Sequence, residues 1–467
     1  MSTPIERLVV LMLENRSFDH LLGFLKRGNP KINGLTGNET NPPARDNRPD
    51  VQVSDAAGDV QDLDPDPGHD FEDVTRQIFG SLDTSQPATM NGFVQDYALV
   101  SKDPIHGENI MRCFKPQTLP ILSTLAMQYG VCDRWFSSVP GSTIPNRMFV
   151  HGASSAGSAS QDAVVAPFLL KTIFESFGPN TPHTYKIYTS GASILMANKY
   201  LVQHQAKFAD YGTQFEADAL HGNLPAYTFI EPKYDDDDNG NFASSQHPDF
   251  PVDRGERLIA EVYNILTKSP KWKSTLLLIT YDEHGGIYDH VVPPTVTCKP
   301  ENSHLPVPPT GPPFNFDFTR LGIRVPAVFV SPCIPPGTII NDQDYEHSSV
   351  VATVRKLFCP ETTPPTWREA QAATFENVLT LEGDNIRNDV VDLPPSVTSP
   401  GVVNISAAEE KRGPTDLSVL IAKTMHYSLQ ARGIKPPADP DTLTTAGQVA
   451  TYLRQASQLS LNPTGSH

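Results

Sequence analysis

Residues 275–286 read TLLLITYDEHGG, and this stretch decides the fold class. Its first six residues, Thr275–Thr280, are apolar or β-branched, and charged residues follow closely. A short, continuous apolar run of this kind is typical of a strand that is buried on both faces of a parallel sheet. Asp282 and Glu283 would then lie at the carboxyl end of that strand, where open α/β sheets bind their ligands.

Further apolar runs of the same kind predict more strands of this sheet. They are Leu8–Leu13, Thr184–Tyr188, Tyr227–Ile230 and Val325–Val330. Helical patterns occur between the strands at Thr118–Tyr129, Leu170–Phe177 and Arg254–Leu266. Because strands and helices alternate, we predict an α/β fold with a mostly parallel central sheet flanked by helices on both faces.

The chain is expected to form one α/β domain over residues 1–395 and a small helical appendage over residues 396–467. Residues 28–70 and the proline-rich residues 291–315 are too long for simple connections, so we interpret them as insertions around the ligand crevice. The appendage carries two helical patterns, Thr415–Arg432 and Thr445–Ser457.

The composition excludes several classes of protein. In 467 residues, 36 Lys and Arg stand against 53 Asp and Glu, which gives a formal net charge of −17. This acidic balance argues against a nucleic-acid partner, because proteins that bind nucleic acid carry basic surfaces. The five cysteines show no Cys-x-x-Cys spacing, so they predict neither a zinc cluster nor a disulfide scaffold.

The first 25 residues lack the pattern of a signal peptide, because the charged segment 14–16 follows only six apolar residues. No other segment approaches the ~18 consecutive apolar residues of a membrane span. We therefore expect the chain as given to be cytoplasmic, with export only if a leader is missing from this sequence. Membrane contact would be peripheral at most.

Three separate segments supply candidate oxygen ligands for a metal ion. These ligands are Glu14, Asn15, Thr143, Asp282 and Glu283. Carboxylate, amide and hydroxyl oxygens suit hard or borderline divalent cations. A hydroxyl held on such a cation loses its proton more easily and becomes a nucleophile. The set is typical of a phosphoryl-transfer site.

Four sequence blocks carry a resemblance to a known family. They are LENRSFDH from Leu13, STIPNR from Ser142, TYDEHGGIYDH from Thr280 and EHSS from Glu346. In this order they resemble the signature blocks of the phosphoesterase family, which contains non-specific phospholipases C and an acid phosphatase branch. The resemblance implies a fold related to that of alkaline phosphatase.

The resemblance also implies a divalent metal bound by Glu14, Asn15, Asp282 and Glu283. Thr143 would be the nucleophile that touches this metal, and Thr rather than Ser at this position resembles the phospholipase branch. Calcium, magnesium, manganese, iron and zinc all suit such a ligand set, so the choice among them stays open.

Active-site histidines are implied as well, and the matching positions are His69, His247 and His347. In the implied mechanism Thr143 attacks phosphorus and forms a phosphothreonine, while His247 or His347 protonates the departing oxygen. His347 could instead cap the helix that follows it.

Four residues near these blocks are candidates for substrate binding. Asn146 and Arg147 would stabilise charge on the phosphoryl oxygens, with an ion pair inside the fold as the alternative for Arg147. His284 and His290 lie inside the Asp282 block and are further candidates for contact with the substrate.

We therefore predict a metal-dependent phosphoric-ester hydrolase of phospholipase C type that acts on phospholipids or other phosphate esters. With phosphatidylcholine it would release diacylglycerol and the phosphorylated head group. A broad-specificity phosphomonoesterase is the alternative within this class. A serine carboxylesterase that uses Ser154, in a glycine-flanked segment resembling a nucleophile elbow, is the alternative from another class.

Overall fold

The protein is built around one large sheet. The computed structural model describes residues 5–58, 60–160, 169–178, 181–236, 242–297, 316–397 and 413–461. The strands are β1 (Arg7–Leu13), β2 (Thr40–Asn41), β3 (Val51–Gln52), β4 (Gly130–Cys132), β5 (Trp135–Phe136), β6 (Tyr185–Thr189), β7 (Phe208–Asp210), β8 (Tyr227–Glu231), β9 (Thr275–Tyr281), β10 (Ala327–Val330), β11 (Thr338–Ile340) and β12 (Tyr345–Glu346).

Helices flank the sheet. They are α1 (Phe18–Leu22), α2 (Phe71–Phe79), α3 (Phe93–Ser101), α4 (Pro120–Gln128), α5 (Thr143–Gly152), α6 (Lys199–Val202), α7 (Glu216–Leu220), α8 (Val252–Thr267), α9 (Ser348–Phe358), α10 (Trp367–Gln371), α11 (Asp416–Ala431) and α12 (Ala446–Leu461).

Eight strands form the main sheet in the order β11-β4-β10-β9-β1-β8-β6-β7. β1 lies at its centre and pairs in parallel with both β8 and β9. Only β10 runs antiparallel to its neighbours among these strands. All seven residues of β9 are buried, so both faces of the sheet are covered at this strand. The predicted α/β fold with a mostly parallel sheet is confirmed.

Two predicted elements need correction. The helix predicted over Leu170–Phe177 is only a 3-10 turn at Ile173–Ser176, because Thr172 caps it at one end and the Gly178-Pro179 pair follows closely at the other. The strand predicted over Val325–Val330 begins at Ala327, since Pro326 has no N–H to donate to the ladder.

The C-terminal helices α11 and α12 pack against each other and against the main body. Apolar residues of both helices, among them Ile421, Met425 and Tyr452, are buried in the same hydrophobic cluster as the sheet. Thr415 caps α11 by accepting a hydrogen bond from the Ser418 N–H group. The division at residue 395 stays a prediction, and residues 398–412 and 462–467 lie outside the described residues.

The two predicted insertions differ in how far the structure describes them. In residues 28–70, β2 and β3 form a small antiparallel pair, and a second hydrophobic cluster that includes Phe24, Leu35 and Ile287 supports this region. Residues 298–315 of the other insertion lie outside the described residues. No helix within the described ranges is both long enough and apolar enough to cross a membrane.

Candidate active site

The ends of β1 and β9 bring two acidic segments together. The two strands are paired in register, with Leu13 opposite Tyr281, so Glu14 and Asp282 leave the sheet side by side. The Asp282 carboxylate joins the two strand ends, because its Oδ1 accepts the N–H of Asn15 at 3.1 Å and the N–H of Glu283 at 2.8 Å. Beyond the last residue of each strand, side chains no longer alternate between the two faces of the sheet, so adjacent side chains can converge.

Close backbone packing fixes this junction. Asn15 has a positive φ of 53°, which turns the chain sharply after β1. Gly285 lies against it, and a Cβ atom at Gly285 would come within 2.2 Å of the Asn15 carbonyl oxygen. The glycine is therefore required for the Asp282 block to approach the end of β1.

Thr143 lies at the first position of α5, next to the N-cap residue Ser142. Its hydroxyl donates to Asn15 Oδ1 at 3.4 Å, and it is almost fully buried. The Ser142 hydroxyl donates to Asp70 Oδ1 at 2.6 Å, which anchors the start of the helix to the loop before α2. The first turn of a helix presents unpaired backbone N–H groups and a positive dipole end, so this position favours an anionic phosphoryl group.

Two carboxylate oxygens of the junction lack hydrogen-bond donors within the described part of the chain. Glu14 Oε1 and Glu283 Oε1 are buried and accept no hydrogen bond from the described residues. Burial raises the pKa of Glu14 to about 8 despite the opposing charge of Arg147. Buried carboxylate oxygens without donors are costly unless a cation is bound. The donor set of Glu14, Asn15, Thr143, Asp282 and Glu283 consists of oxygen atoms, which suit a divalent cation. The potential ligand atoms of its three carboxylates do not all lie within 4.8 Å of one another in this structure.

The Arg147 guanidinium forms hydrogen bonds with other groups of the protein. Its Nε donates to Asp282 Oδ2 at 2.9 Å, and its Nη1 and Nη2 donate to the Tyr234 hydroxyl at 2.9 Å and the Leu13 carbonyl at 3.2 Å. The guanidinium also lies 3.8 Å from Glu14 Oε1 and is buried. Arg147 thus forms the internal ion pair that was its alternative, and its role as a phosphate clamp stays a prediction.

Asn146 also has an internal role. Its amide Nδ2 donates to the carbonyl groups of Val139, Gly141 and Ser142, and its Oδ1 accepts the N–H of Val139. These bonds shape the turn that leads into α5. Contact of Asn146 with substrate oxygens stays a prediction.

His284 and His290 are likewise engaged by the protein. His284 Nε2 donates to Gln77 Oε1 at 2.7 Å, and its Nδ1 lies 3.3 Å from Glu283 Oε2. His290 Nδ1 lies 2.5 Å from Asp19 Oδ2, and its Nε2 lies 3.1 Å from Asn33 Oδ1. Each ring thus lies beside a carboxylate of the protein, and contact of His284 or His290 with the substrate stays a prediction.

His347 is buried with both ring nitrogens occupied. Its Nε2 donates to the Asp282 carbonyl at 2.5 Å, and its Nδ1 accepts the indole N–H of Trp135 at 3.4 Å. Burial lowers the pKa of His347 to about 4, so the ring is neutral at pH 7. In this structure the His347 ring supports the Asp282 backbone, and the role of His347 as proton donor stays a prediction.

Nearby carboxylates raise the pKa values of His69 and His247. Burial alone would lower the pKa of His69, but Glu283 and Asp66 raise it to about 10. In the same way Asp66 and Asp249 raise the pKa of His247 to about 9. The Nδ1 of His69 donates to the Pro67 carbonyl at 2.9 Å, and the described residues form no hydrogen bond to its Nε2. Nε2 is therefore the nitrogen that can reach a substrate.

A model of the phosphoesterase family matches residues 5–359 of the chain. The chain is 43% identical to "Non-specific phospholipase C1" of Arabidopsis thaliana over 407 residues. This alignment covers 84% of this chain and 74% of that protein. The chain belongs to the phosphoesterase family. It is a phosphoric-ester hydrolase, and the alternative of a serine carboxylesterase is not supported.

More distant relatives of this phosphoesterase include "Phospholipase C B" of Mycobacterium tuberculosis. The two are 28% identical over 418 residues, which cover 79% of this chain and 76% of that protein. Among solved structures, the lipoteichoic acid synthase LtaP from Listeria monocytogenes matches with a TM-score of 0.33 and 15% identity, over 51% of this chain and 65% of that chain.

Ser154 of the phosphoesterase lies just after the C-terminal end of α5, whose C-cap residue is Ala153. A nucleophile elbow instead places its serine between a strand and the helix that follows. The surroundings of Ser154 therefore differ from those of a hydrolase nucleophile, in agreement with the family.

A second acidic group lies further along the same sequence blocks of the phosphoesterase. Within the described ranges, Asp19, Asp289 and His290 are the three side chains whose potential ligand atoms all lie within 4.8 Å of one another. However, Arg324 donates to Asp289 Oδ1 at 2.9 Å and to Asp19 Oδ1 at 3.0 Å. A buried guanidinium already supplies the positive charge, so we interpret this Arg324 cluster (Asp19, Asp289, His290 and Arg324) as an internal ion pair.

Sequence reasoning missed three side chains near the site. Gln77 donates to the Gly68 carbonyl and accepts from His284, which joins the loop before α2 to the Asp282 block. Tyr234 connects Arg147 to Glu231, to which it donates at 2.9 Å. Asp66 lies beside His69 and His247. Only Asp66 had a signal in the sequence, since it begins the DPGH segment that contains His69.

Proposed function

We propose that this phosphoesterase is a phospholipase C that cleaves glycerophospholipids such as phosphatidylcholine to diacylglycerol and a phosphorylated head group. The observation that carries the proposal is the position of Thr143, at the N-terminus of α5 and beside Asn15 in the carboxylate-rich junction of β1 and β9. Relatives named phospholipase C that align with most of the chain support the same reaction.

In this proposal Glu14, Asn15, Thr143, Asp282 and Glu283 would hold a divalent cation. Such an ion lowers the pKa of a bound hydroxyl and offsets charge on phosphoryl oxygens. Calcium, magnesium, manganese, iron and zinc remain the candidates, because an all-oxygen set accepts each of them. Arg147 balances part of the charge of Asp282 and Glu14, and His347 and His284 orient the Asp282 and Glu283 segments.

The deprotonated Thr143 oxygen attacks phosphorus opposite the departing glycerol oxygen. A new Oγ–P bond forms as the glycerol P–O bond breaks, which leaves a phosphothreonine. Backbone N–H groups in the first turn of α5 stabilise the charge on the non-bridging oxygens.

His69 donates the proton that the departing glycerol oxygen requires. Its Nδ1–H is held by the Pro67 carbonyl, so the second proton of the ring is carried on Nε2. The neutral His69 then takes a proton from the water that attacks the phosphothreonine, and the phosphorylated head group is released. His247 keeps a positive charge next to Asp66 and contributes to binding the anionic phosphoryl group.

The test compares a diester lipid with a monoester. Purified protein is incubated with phosphatidylcholine and with p-nitrophenyl phosphate, and diacylglycerol, phosphocholine and inorganic phosphate are measured. We expect diacylglycerol and phosphocholine in equal amounts, with turnover of the lipid well above that of the monoester. Release of phosphate from the monoester with no cleavage of the lipid would contradict the proposal and favour a phosphomonoesterase.

A further inference from the structure

The carboxylate of Asp66 lies between the two cationic histidines. Its Oδ2 is 3.7 Å from His69 Nδ1 and 3.7 Å from His247 Nε2. His247 in turn has Asp249 Oδ2 at 3.3 Å from its other nitrogen. Asp66 is therefore the group through which His69 and His247 are linked electrostatically.

The scaffold gives Asp66 little support. Its Oδ1 is buried and has no hydrogen-bond partner among the described residues, and both contacts of Oδ2 are longer than a hydrogen bond. The side chain as a whole is 23% exposed. Burial of such a carboxylate has a desolvation cost that hydrogen bonds do not offset. Such a cost is typical of a residue retained for function rather than for stability.

We propose that Asp66 is a positioning residue for the reaction described above, acting through His69. This inference rests on the proposed function. The hydrogen bond to the Pro67 carbonyl orients the His69 ring, and the Asp66 carboxylate on the same Nδ1 side stabilises its positive charge. Stabilisation of an imidazolium by a nearby carboxylate is one of the functions of catalytic Asp–His pairs. His247, on the opposite side, holds the carboxylate in place.

The experiment varies the leaving group. Dihexanoyl-phosphatidylcholine releases an alkoxide that must be protonated, whereas p-nitrophenyl phosphorylcholine releases a phenolate that is stable without a proton. Both substrates leave the same phosphocholine on the enzyme, and kcat/KM reports the step in which the leaving group departs. For Asp66→Asn we expect kcat/KM to fall about 30- to 100-fold with the lipid and less than about 5-fold with the nitrophenyl ester.

The partner of Asp66 is identified by a double-mutant comparison. His69→Asn should show the same preference for the nitrophenyl ester with a larger loss on the lipid. In the His69→Asn background, Asp66→Asn should add less than about 3-fold, because the two changes remove one unit. Asp64→Asn, an equal change of charge at an exposed position of the same loop, should stay within about 2-fold of wild type on both substrates.

A melting curve checks that Asp66→Asn is folded, since the change removes a counter-charge of His69 and His247 and is expected to lower the melting temperature slightly. Equal losses on the two substrates, or additive losses with His69→Asn, would each overturn the inference. Failure of the proposed function is distinguishable, since the wild-type protein would then cleave neither phosphorylcholine ester.

Discussion

Two buried acidic clusters of this protein come from the same two sequence blocks but differ in how their charge is satisfied. In the Arg324 cluster, Arg324 bridges Asp19 and Asp289, and its Nη1 donates to the carbonyls of Asn33 and Asp133. The remaining oxygen of Asp19 accepts the backbone N–H of His290 at 2.8 Å.

The carboxylates of the Glu14 cluster (Glu14, Asp282 and Glu283) accept fewer hydrogen bonds from cationic side chains. Arg147 forms a hydrogen bond only with Asp282 among these carboxylates, while Glu14 Oε1 and Glu283 Oε1 have no donor from the described residues. In the proposed function the carboxylates of the Arg324 cluster stabilise the fold, whereas those of the Glu14 cluster hold the ligand. Proximity of acidic groups alone selects the Arg324 cluster instead.

The largest expected effect concerns the nucleophile beside the Glu14 cluster. Thr143→Ala removes the only atom that forms the covalent bond, so kcat for phosphatidylcholine should fall by about 10⁴-fold or more. Thr143→Ser keeps a hydroxyl at the same place and serves as the matched control, with measurable turnover. The account fails if the alanine variant, folded as judged by circular dichroism, retains more than a small fraction of activity.

Removal of the cation is expected to have the next largest effect. Chelation followed by gel filtration should abolish turnover of phosphatidylcholine, and adding back one of the candidate divalent ions should restore it. Glu283→Gln, which keeps the shape of the side chain, should lower kcat about 10²- to 10³-fold at a saturating ion concentration. Full activity after exhaustive chelation would refute the interpretation of the Glu14 cluster as a metal site.

The Arg324 cluster should respond in stability rather than in chemistry. Arg324→Met leaves the buried Asp19 and Asp289 without their cation, so the free energy of unfolding should fall by about 3–5 kcal/mol. The remaining folded protein should keep its kcat within about 3-fold of wild type. Chemical denaturation and active-site-normalised kinetics check the two parts. A loss of turnover without a loss of stability would reverse the roles of the two clusters.

The smallest expected effect is the pH dependence contributed by His290. Burial alone would lower its pKa, but Asp19 and Asp289 raise it above the ordinary value of 6.5. Its contribution to stability is therefore complete below about pH 6.5 and is lost as the pH rises through the folded-state pKa. We expect His290→Gln to cost about 1 kcal/mol more at pH 6 than at pH 9. A difference of opposite sign in urea denaturation would contradict the proposed ion pair.

The sequence predicted the parts of the site that depend on local pattern. The apolar runs before Glu14 and Asp282 identify two strands. Because parallel strands end at the same edge of a sheet, the sequence alone predicts that the two acidic segments lie close together. Thr143 was found through its block and not through any local periodicity. The family resemblance therefore supplied the candidate nucleophile, while the strand pattern supplied the acidic junction.

The roles of neighbouring polar residues could not be predicted, because they depend on partners far away in the chain. The position of Arg147 near Thr143 in the sequence suggests a phosphate clamp. In the fold, however, its Nε donates a hydrogen bond to Asp282, which is 135 residues away in the chain. His347 is occupied by the Asp282 carbonyl and by Trp135, which is 212 residues away. Only tertiary packing shows which charged groups are already paired and which remain for a ligand.

The most direct test of the account is the location of the ion, measured as divalent metal per chain by elemental analysis of purified protein. Wild type and His290→Gln, which alters the Arg324 cluster, should each carry about one ion per chain, while the double variant Glu14→Gln/Glu283→Gln should carry almost none. Retention of the ion by the double variant, together with its loss from His290→Gln, would contradict the account and place the metal in the Arg324 cluster.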